Sequence, residues 1–211
     1  MQRNLNKCAI KKAKELREYT LCKVLPEDMN MKGFQYQLGV NEDVEPFVKS
    51  RKGKVGLYFI TVDKVLIYLH QGTKLAVITI PANEDVYVED EIFRTHKFTI
   101  KKIMHLNDVA TWKYLHKQGV DFSAEHNMAL RYVAFNGYVD VLKYLHKQGV
   151  DITVNDNFAV KVAVQQGHLE IVRYLHEHGV DFTENENSCI KWASCMGHEH
   201  IVKYLSDNGA D

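Results

Sequence analysis

Proline is scarce in this sequence: Pro26, Pro46 and Pro81 are the only three in 211 residues, and none follows Pro81. Proline removes a backbone donor and breaks helix interiors, so nothing after Pro81 prevents an all-helical second half. Cysteine is scarce as well. Cys8, Cys22, Cys189 and Cys195 show no Cys-x-x-Cys spacing, which argues against zinc modules and disulfide-stapled scaffolds and for a reducing, intracellular setting. No apolar run reaches the length of a signal-peptide core or a membrane span, so neither secretion nor a membrane partner is expected. Net charge is missing too, with 27 Lys/Arg against 27 Asp/Glu. Nucleic-acid binders carry a basic surplus, so nucleic acid is not an expected partner. The Gly-x-x-x-x-Gly-Lys-Ser/Thr pattern that cradles a phosphate is absent, and Ser50-Arg51-Lys52-Gly53-Lys54 is read as a basic turn before a strand.

What is present is repetition. Glycine followed by Val or Ala and then Asp recurs at Gly119, Gly149, Gly179 and Gly209, a period of 30 residues. The same period carries an asparagine (Asn127, Asn157, Asn187), a small residue followed by an aliphatic one (Ala129-Leu130, Ala159-Val160, Cys189-Ile190), and a second glycine (Gly137, Gly167, Gly197). A fixed period of this length marks a repeat architecture. Asn157 reads as the N-cap of a first helix that Gly167 closes. A second helix starts at His168, with Leu169, Ile171, Val172 and Leu175 on its apolar side and Glu170 and Arg173 outward. Each unit is therefore an extended segment, a helix, a turn and a helix.

Gly167-His168-Leu169-Glu170-Ile171-Val172 and Gly209-Ala210-Asp211 resemble the second-helix and closing motifs of ankyrin repeats. Where the family starts its first helix with Thr-Pro-Leu-His, this chain has Met128-Ala129-Leu130-Arg131, Phe158-Ala159-Val160-Lys161 and Ser188-Cys189-Ile190-Lys191. The usual unit has about 33 residues, and the loss of three falls before the first helix, where the family carries a β-hairpin finger. The shortened, proline-free units, together with Lys32 to Tyr36, Gly56 to Phe59 and Val77 to Pro81, are similar to the ankyrin repeat proteins of giant amoeba-infecting viruses of the mimivirus group. The resemblance implies an interaction scaffold in the host cytoplasm, binding a host protein.

The first half has a different logic. Residues 1–24 hold seven Lys/Arg against two Glu, and Leu5, Cys8, Ala9, Ala13 and Leu16 fall on one face of a leader helix packed on its own domain. Phe34 to Tyr36, Gly56 to Ile60, Leu75 to Ile80, Val86 to Val88 and Lys97 to Ile100 read as strands, and Asp63 to Gln71 as a short helix. The expected fold is an α+β N-terminal module (1–104) followed by an all-α ankyrin-like solenoid. The solenoid has a partial unit (105–120) and three 30-residue repeats (121–150, 151–180, 181–211). The N-terminal module is expected to cover the open end of the partial unit. At the other end the chain stops soon after Gly209, so polar residues such as Ser206, Asp207 and Asn208, or another surface, are expected to cover the last helices.

The expected function is protein binding through the array, with no enzyme activity, cofactor, metal site or small-molecule substrate. Nine of the eleven histidines lie at or after His105, but repeat position accounts for most of them. Tyr114, Tyr144, Tyr174 and Tyr204 read as inter-repeat packing, as do Phe122, Ile152 and Phe182. The candidate contact residues are Glu125, His126, Asp156, Glu184 and Glu186 in the variable segments before the first helices, with Phe135, Gln165 and Cys195 on those helices. From His105 onward 14 Asp/Glu face nine Lys/Arg, which fits a basic partner. Two alternatives stay open. One is an ADP-ribosyltransferase-like enzyme in the first half, with Glu84, Glu89 or Glu91 as its carboxylate. The other is a structural component of a virion.

Overall fold

The computed structural model describes residues 9–43, 56–89, 91–182 and 184–210, with side chains at 9–10, 155–156 and 184–187 outside that description. Two compact units form: one runs to Leu106 and includes Ala110–Val120, the other holds Asn107–Val109 and the residues from Asp121 on. Among the described residues no helix is long and apolar enough to cross a membrane.

The first unit is β-rich. Its strands are β1 (Ala9–Lys12), β2 (Leu21–Leu25), β3 (Asn30–Met31), β4 (Phe34–Gln35), β5 (Gly39–Glu42), β6 (Leu57–Thr61), β7 (Lys74–Thr79), β8 (Asp85–Glu89), β9 (Ile92–Thr95) and β10 (Lys97–His105). Eight of them form an antiparallel sheet in the order β1-β8-β9-β6-β2-β7-β10-β5. β3 and β4 form a separate hairpin. Its turn is Lys32-Gly33 with both φ positive, +52° and +83°, the geometry that suits the twist of a two-residue hairpin. Phe59, Phe93 and Phe98 fill the core, with Phe59 and Phe93 rings 5.3 Å apart.

The leader helix is overturned within the described residues. Ala9–Lys12 is a strand paired with β8 in the register Ala9 to Val88, and only Ala13–Leu16 is helical, as one 3-10 turn. The spacing of Ala13 and Leu16 is real, since both are buried, but it belongs to that turn, in which Glu15 accepts from the Lys12 amide at 3.0 Å. The edge of β8 satisfies the backbone of the preceding residues, and this outcompetes a helix whose apolar face is made of small side chains. The helix expected from Asp63 is a ten-residue 3-10 helix, Val62–Gln71. The turn at Ser50 to Lys54 lies outside the described residues.

α1 (Val109–Lys117) lies mostly in the first unit. Trp112, fully buried, donates through Nε1 to the Leu106 carbonyl at 2.7 Å, and Thr20 Oγ1 donates to Gln118 at 2.6 Å.

The second unit stacks α2 (Ala124–Asn136), α3 (Val139–Lys147), α4 (Val154–Gln165), α5 (Leu169–Glu177), α6 (Glu184–Cys195) and α7 (Glu199–Asp207). α2, α4 and α6 neighbour one another in one layer, and α3, α5 and α7 in the other. Between Val109 and Asp207 no strand occurs among the described residues, so the hairpin finger is absent. Ile171, Val172 and Leu175 are buried as their spacing requires. Gly149 closes α3 with φ +89°, and the following Val150 amide reaches back to the Leu145 carbonyl at 3.1 Å, satisfying a last-turn acceptor.

The asparagine cap is a second correction. Asn127 and Asn157 sit inside α2 and α4, at left-handed φ of +58° and +57°, where a cap residue would be extended. Asparagine recurs because it tolerates that conformation better than most residues. Asn157 is also buried and donates through Nδ2 to the Asp181 carbonyl of the next unit at 3.1 Å.

Candidate functional site

The turns that open the first two units are built by the aspartate of Gly-Val-Asp. Asp121 Oδ1 accepts from the Ser123 hydroxyl at 2.6 Å and amide at 2.9 Å; Asp151 Oδ1 accepts from the Thr153 amide at 2.9 Å and hydroxyl at 2.7 Å. These bonds hold both carboxyls below their usual range, so both stay ionised. Phe122, Ile152 and Phe182 beside them are buried, as the packing reading requires. In the first repeat the chain then makes a left-handed turn at Glu125, His126 and Asn127, with φ of +53°, +54° and +58°. Glu125 and His126 are exposed on it. The side chains of Asp156, Glu184 and Glu186 lie outside the described residues.

The first helices carry the second part of the site. Phe135, Gln165 and Cys195 are equivalent positions near the C-terminal ends of α2, α4 and α6. Phe135 is 55% exposed, an unusual state for a large aromatic; Cys195 is exposed and Gln165 half-buried. Met196, beside Cys195, is 58% exposed. Sequence reasoning passed over Met196, which stands at the repeat position of Asn136 and Gln166.

Histidines hold this row in register. His168 Nε2 donates to the Phe135 carbonyl at 2.9 Å, and His198 Nε2 donates to the Gln165 carbonyl at 3.0 Å. Each bond runs from the start of one unit's second helix to the first helix of the unit before. A second ladder runs through the other layer. His146 Nδ1 and the Tyr174 hydroxyl are 2.9 Å apart, and His176 Nδ1 and the Tyr204 hydroxyl 2.8 Å. Lys143 lies 5.8 Å from the Tyr174 ring centre and Arg173 5.1 Å from that of Tyr204. Burial raises both phenols, which keeps them protonated and able to donate. His146, His168, His176 and His198, with Tyr174 and Tyr204, are thus inter-repeat ties, while Phe135, Cys195, Glu125 and His126 are exposed. The sequence placed the tyrosines in inter-repeat packing but not their histidine partners, because each tie joins residues 28 or 33 apart, offsets that differ from the 30-residue period.

The carboxylates considered for an enzyme are Glu84, Glu89 and Glu91. Glu84 lies in the turn from β7 to β8, Glu89 ends β8, and Glu91 pairs with Lys64 at 3.1 Å. None of the three lines the cavity of the first unit, whose lining includes Asp43.

Two family profiles match the chain: one described as "Ankyrin repeats (3 copies)" over residues 132–211, and one as "Ankyrin repeats (many copies)" over residues 100–146. Among curated proteins the chain is similar to an ankyrin repeat protein of Acanthamoeba polyphaga mimivirus, 29% identical over 115 residues, covering 49% of this chain and 37% of that protein. It is also similar to an uncharacterised protein of the same virus, 30% identical over 119 residues, covering 52% of this chain and 85% of that protein. The chain therefore spans little more than a third of the first of these relatives.

Proposed function

Because the chain belongs to the ankyrin repeat family, whose repeats are generally protein–protein interaction modules, we propose that it binds a protein through its repeat array. The contact surface is the row Phe135, Gln165 and Cys195 with the opening turns that bear Glu125 and His126. The observation that carries this reading is the state of Phe135: its side chain is mostly solvent-exposed while its own carbonyl is fixed by His168. A large aromatic ring on an immobilised backbone loses little further entropy when a partner covers it, which is how an interface anchor gains affinity. The acidic excess of the second half favours a basic partner surface. The similarity to viral proteins supports reading that partner as a host protein, met inside the infected cell.

The test is site-specific photocrosslinking with the full chain in amoebal extract. A photoreactive residue at position 135 or 165 should yield a discrete protein adduct, and the same residue at Lys147, exposed at the end of α3, should not. Adducts at 147 alone would place the partner elsewhere.

A further inference from the structure

β2 places a lysine in the middle of an entirely buried run, Leu21-Cys22-Lys23-Val24-Leu25. Lys23 is only 4% exposed. Among the described residues its ammonium makes one hydrogen bond, Nζ donating to the Tyr58 carbonyl at 2.9 Å, and it lies 5.0 Å from the centre of the Tyr36 ring. An ammonium has three N–H donors, and leaving donors unused in the interior is costly. Burial, and then the nearby Lys32, pull its pKa down to about 8, so it remains mostly charged at neutral pH.

The ammonium borders a cavity of about 280 Å³ inside the first unit. Around it stand Lys32, Phe34, Tyr36, Tyr58 and Tyr68, with Asp43 at one side. The β3–β4 hairpin supplies the outer wall: Lys32, exposed at the hairpin turn, holds its ammonium 5.6 Å from the Tyr58 ring centre, and Phe34 packs on Tyr36 at 4.7 Å. Asp43 accepts from the Gly56 amide at 2.9 Å, so part of its charge is engaged on backbone. Two cations and one carboxylate leave a net positive charge of one. A cavity of about 150 Å³ admits benzene, and this one has room for a ring bearing a short polar substituent.

We propose that this cavity binds a small aryl carboxylate, its carboxylate received by the Lys23 ammonium with Lys32 at the outer side and its ring against Phe34, Tyr36 and Tyr58. The ligand's oxygens would supply the acceptors that the Lys23 donors lack, in a charge-assisted pair of the stronger kind. The aromatic side chains account for a flat body and the lysines for a single negative charge. The site lies wholly in the first unit and stands or falls independently of protein binding by the repeats.

The experiment is fluorine NMR of 4-fluorophenylacetate titrated with the full chain, beside the neutral 4-fluorophenylacetamide and, as a competitor, acetate. The acid should bind saturably, and the amide more weakly by about tenfold, since its oxygen accepts from the ammonium without a charge of its own. Acetate should compete poorly, lacking a ring. Lys23→Met should weaken the acid about tenfold or more while melting no lower than the parent. Lys32→Gln, an exposed change that leaves the fold intact, should weaken it by a smaller factor and keeps the test valid if Lys23→Met does not fold. No saturable binding of the acid at millimolar concentration, equal binding of acid and amide, or undiminished binding by the folded Lys23→Met protein would each overturn the proposal.

Discussion

His168 donates to the Phe135 carbonyl at 2.9 Å while its ring fills the space beside Gly137, where a Cβ would lie 2.7 Å from His168 Nδ1. Gly137 also has a φ of +75°. Gly137→Ala should therefore destabilise the array by about 2 kcal/mol, from left-handed strain together with displacement of the histidine. His168→Ala should lower stability by itself through loss of the inter-repeat bond. The double variant should be less destabilised than the two effects added, because the clash disappears with the ring. Thermal melts of the three proteins test this, and strict additivity would deny that ring and glycine compete for one space.

Asn157 makes a similar test of backbone conformation. At φ +57°, with its side chain donating to Asp181, it needs left-handed tolerance and a donor at once. Asn157→Gly keeps the left-handed conformation and loses the side-chain bonding, of which the bond to Asp181 contributes about 1 kcal/mol. Asn157→Thr would serve at a helix cap but is β-branched and resists the left-handed region, so it should cost more. Equal melting temperatures for the two variants would restore the cap.

These two sites mark the limit of what the sequence disclosed. The 30-residue period located the units, their paired helices and their buried faces, because glycine and aliphatic spacing follow directly from helix geometry. It identified the recurring asparagine but not its role, since cap and left-handed positions favour the same residue. In the first half, β7 and β8 were legible from β-branched runs, whereas β2 was not. Its five residues are buried without alternation, so no period of two appears, and Lys23 within it reads as a break in the apolar run although it points to a cavity. Phe135 was legible as a free repeat position; its fixed carbonyl was not.

The buried Lys23 predicts a pH dependence. Its folded pKa of about 8 lies below the ordinary lysine value of 10.5. Below pH 8 the residue is charged in both states and the folded protein bears the full burial penalty, roughly 3 kcal/mol at most. Between 8 and 10.5 the unfolded chain binds more protons, so this penalty is relieved as pH rises. Lys23→Met should be the more stable protein at pH 7 and lose that advantage across this window. Cys22, its thiol pushed up to about 12 by burial, is common to both proteins and cancels in the comparison. Denaturant unfolding at a series of pH values gives the difference directly. A gap that stays constant with pH would mean that Lys23 is not held charged in the interior.

Charge should steer the partner's approach. Neutralising Glu125, Asp156, Glu184 and Glu186 together as Gln or Asn should slow association and flatten its salt dependence, leaving dissociation less affected. Stopped-flow association at several ionic strengths reads both quantities. An unchanged rate and salt slope in a protein that melts normally would remove the opening turns from the contact surface.

The central claim, that the first-helix row is where the array meets another protein, is tested most directly by comparative capture. The parent chain, the variant Phe135→Ser with Gln165→Ala and Cys195→Ser, and Lys23→Met are immobilised separately and exposed to the same amoebal extract, and the retained proteins are quantified by mass spectrometry. The account predicts at least one protein retained equally by the parent and by Lys23→Met and lost from the triple variant, which should melt as the parent does. Retention of the same proteins in the same amounts by all three would contradict it.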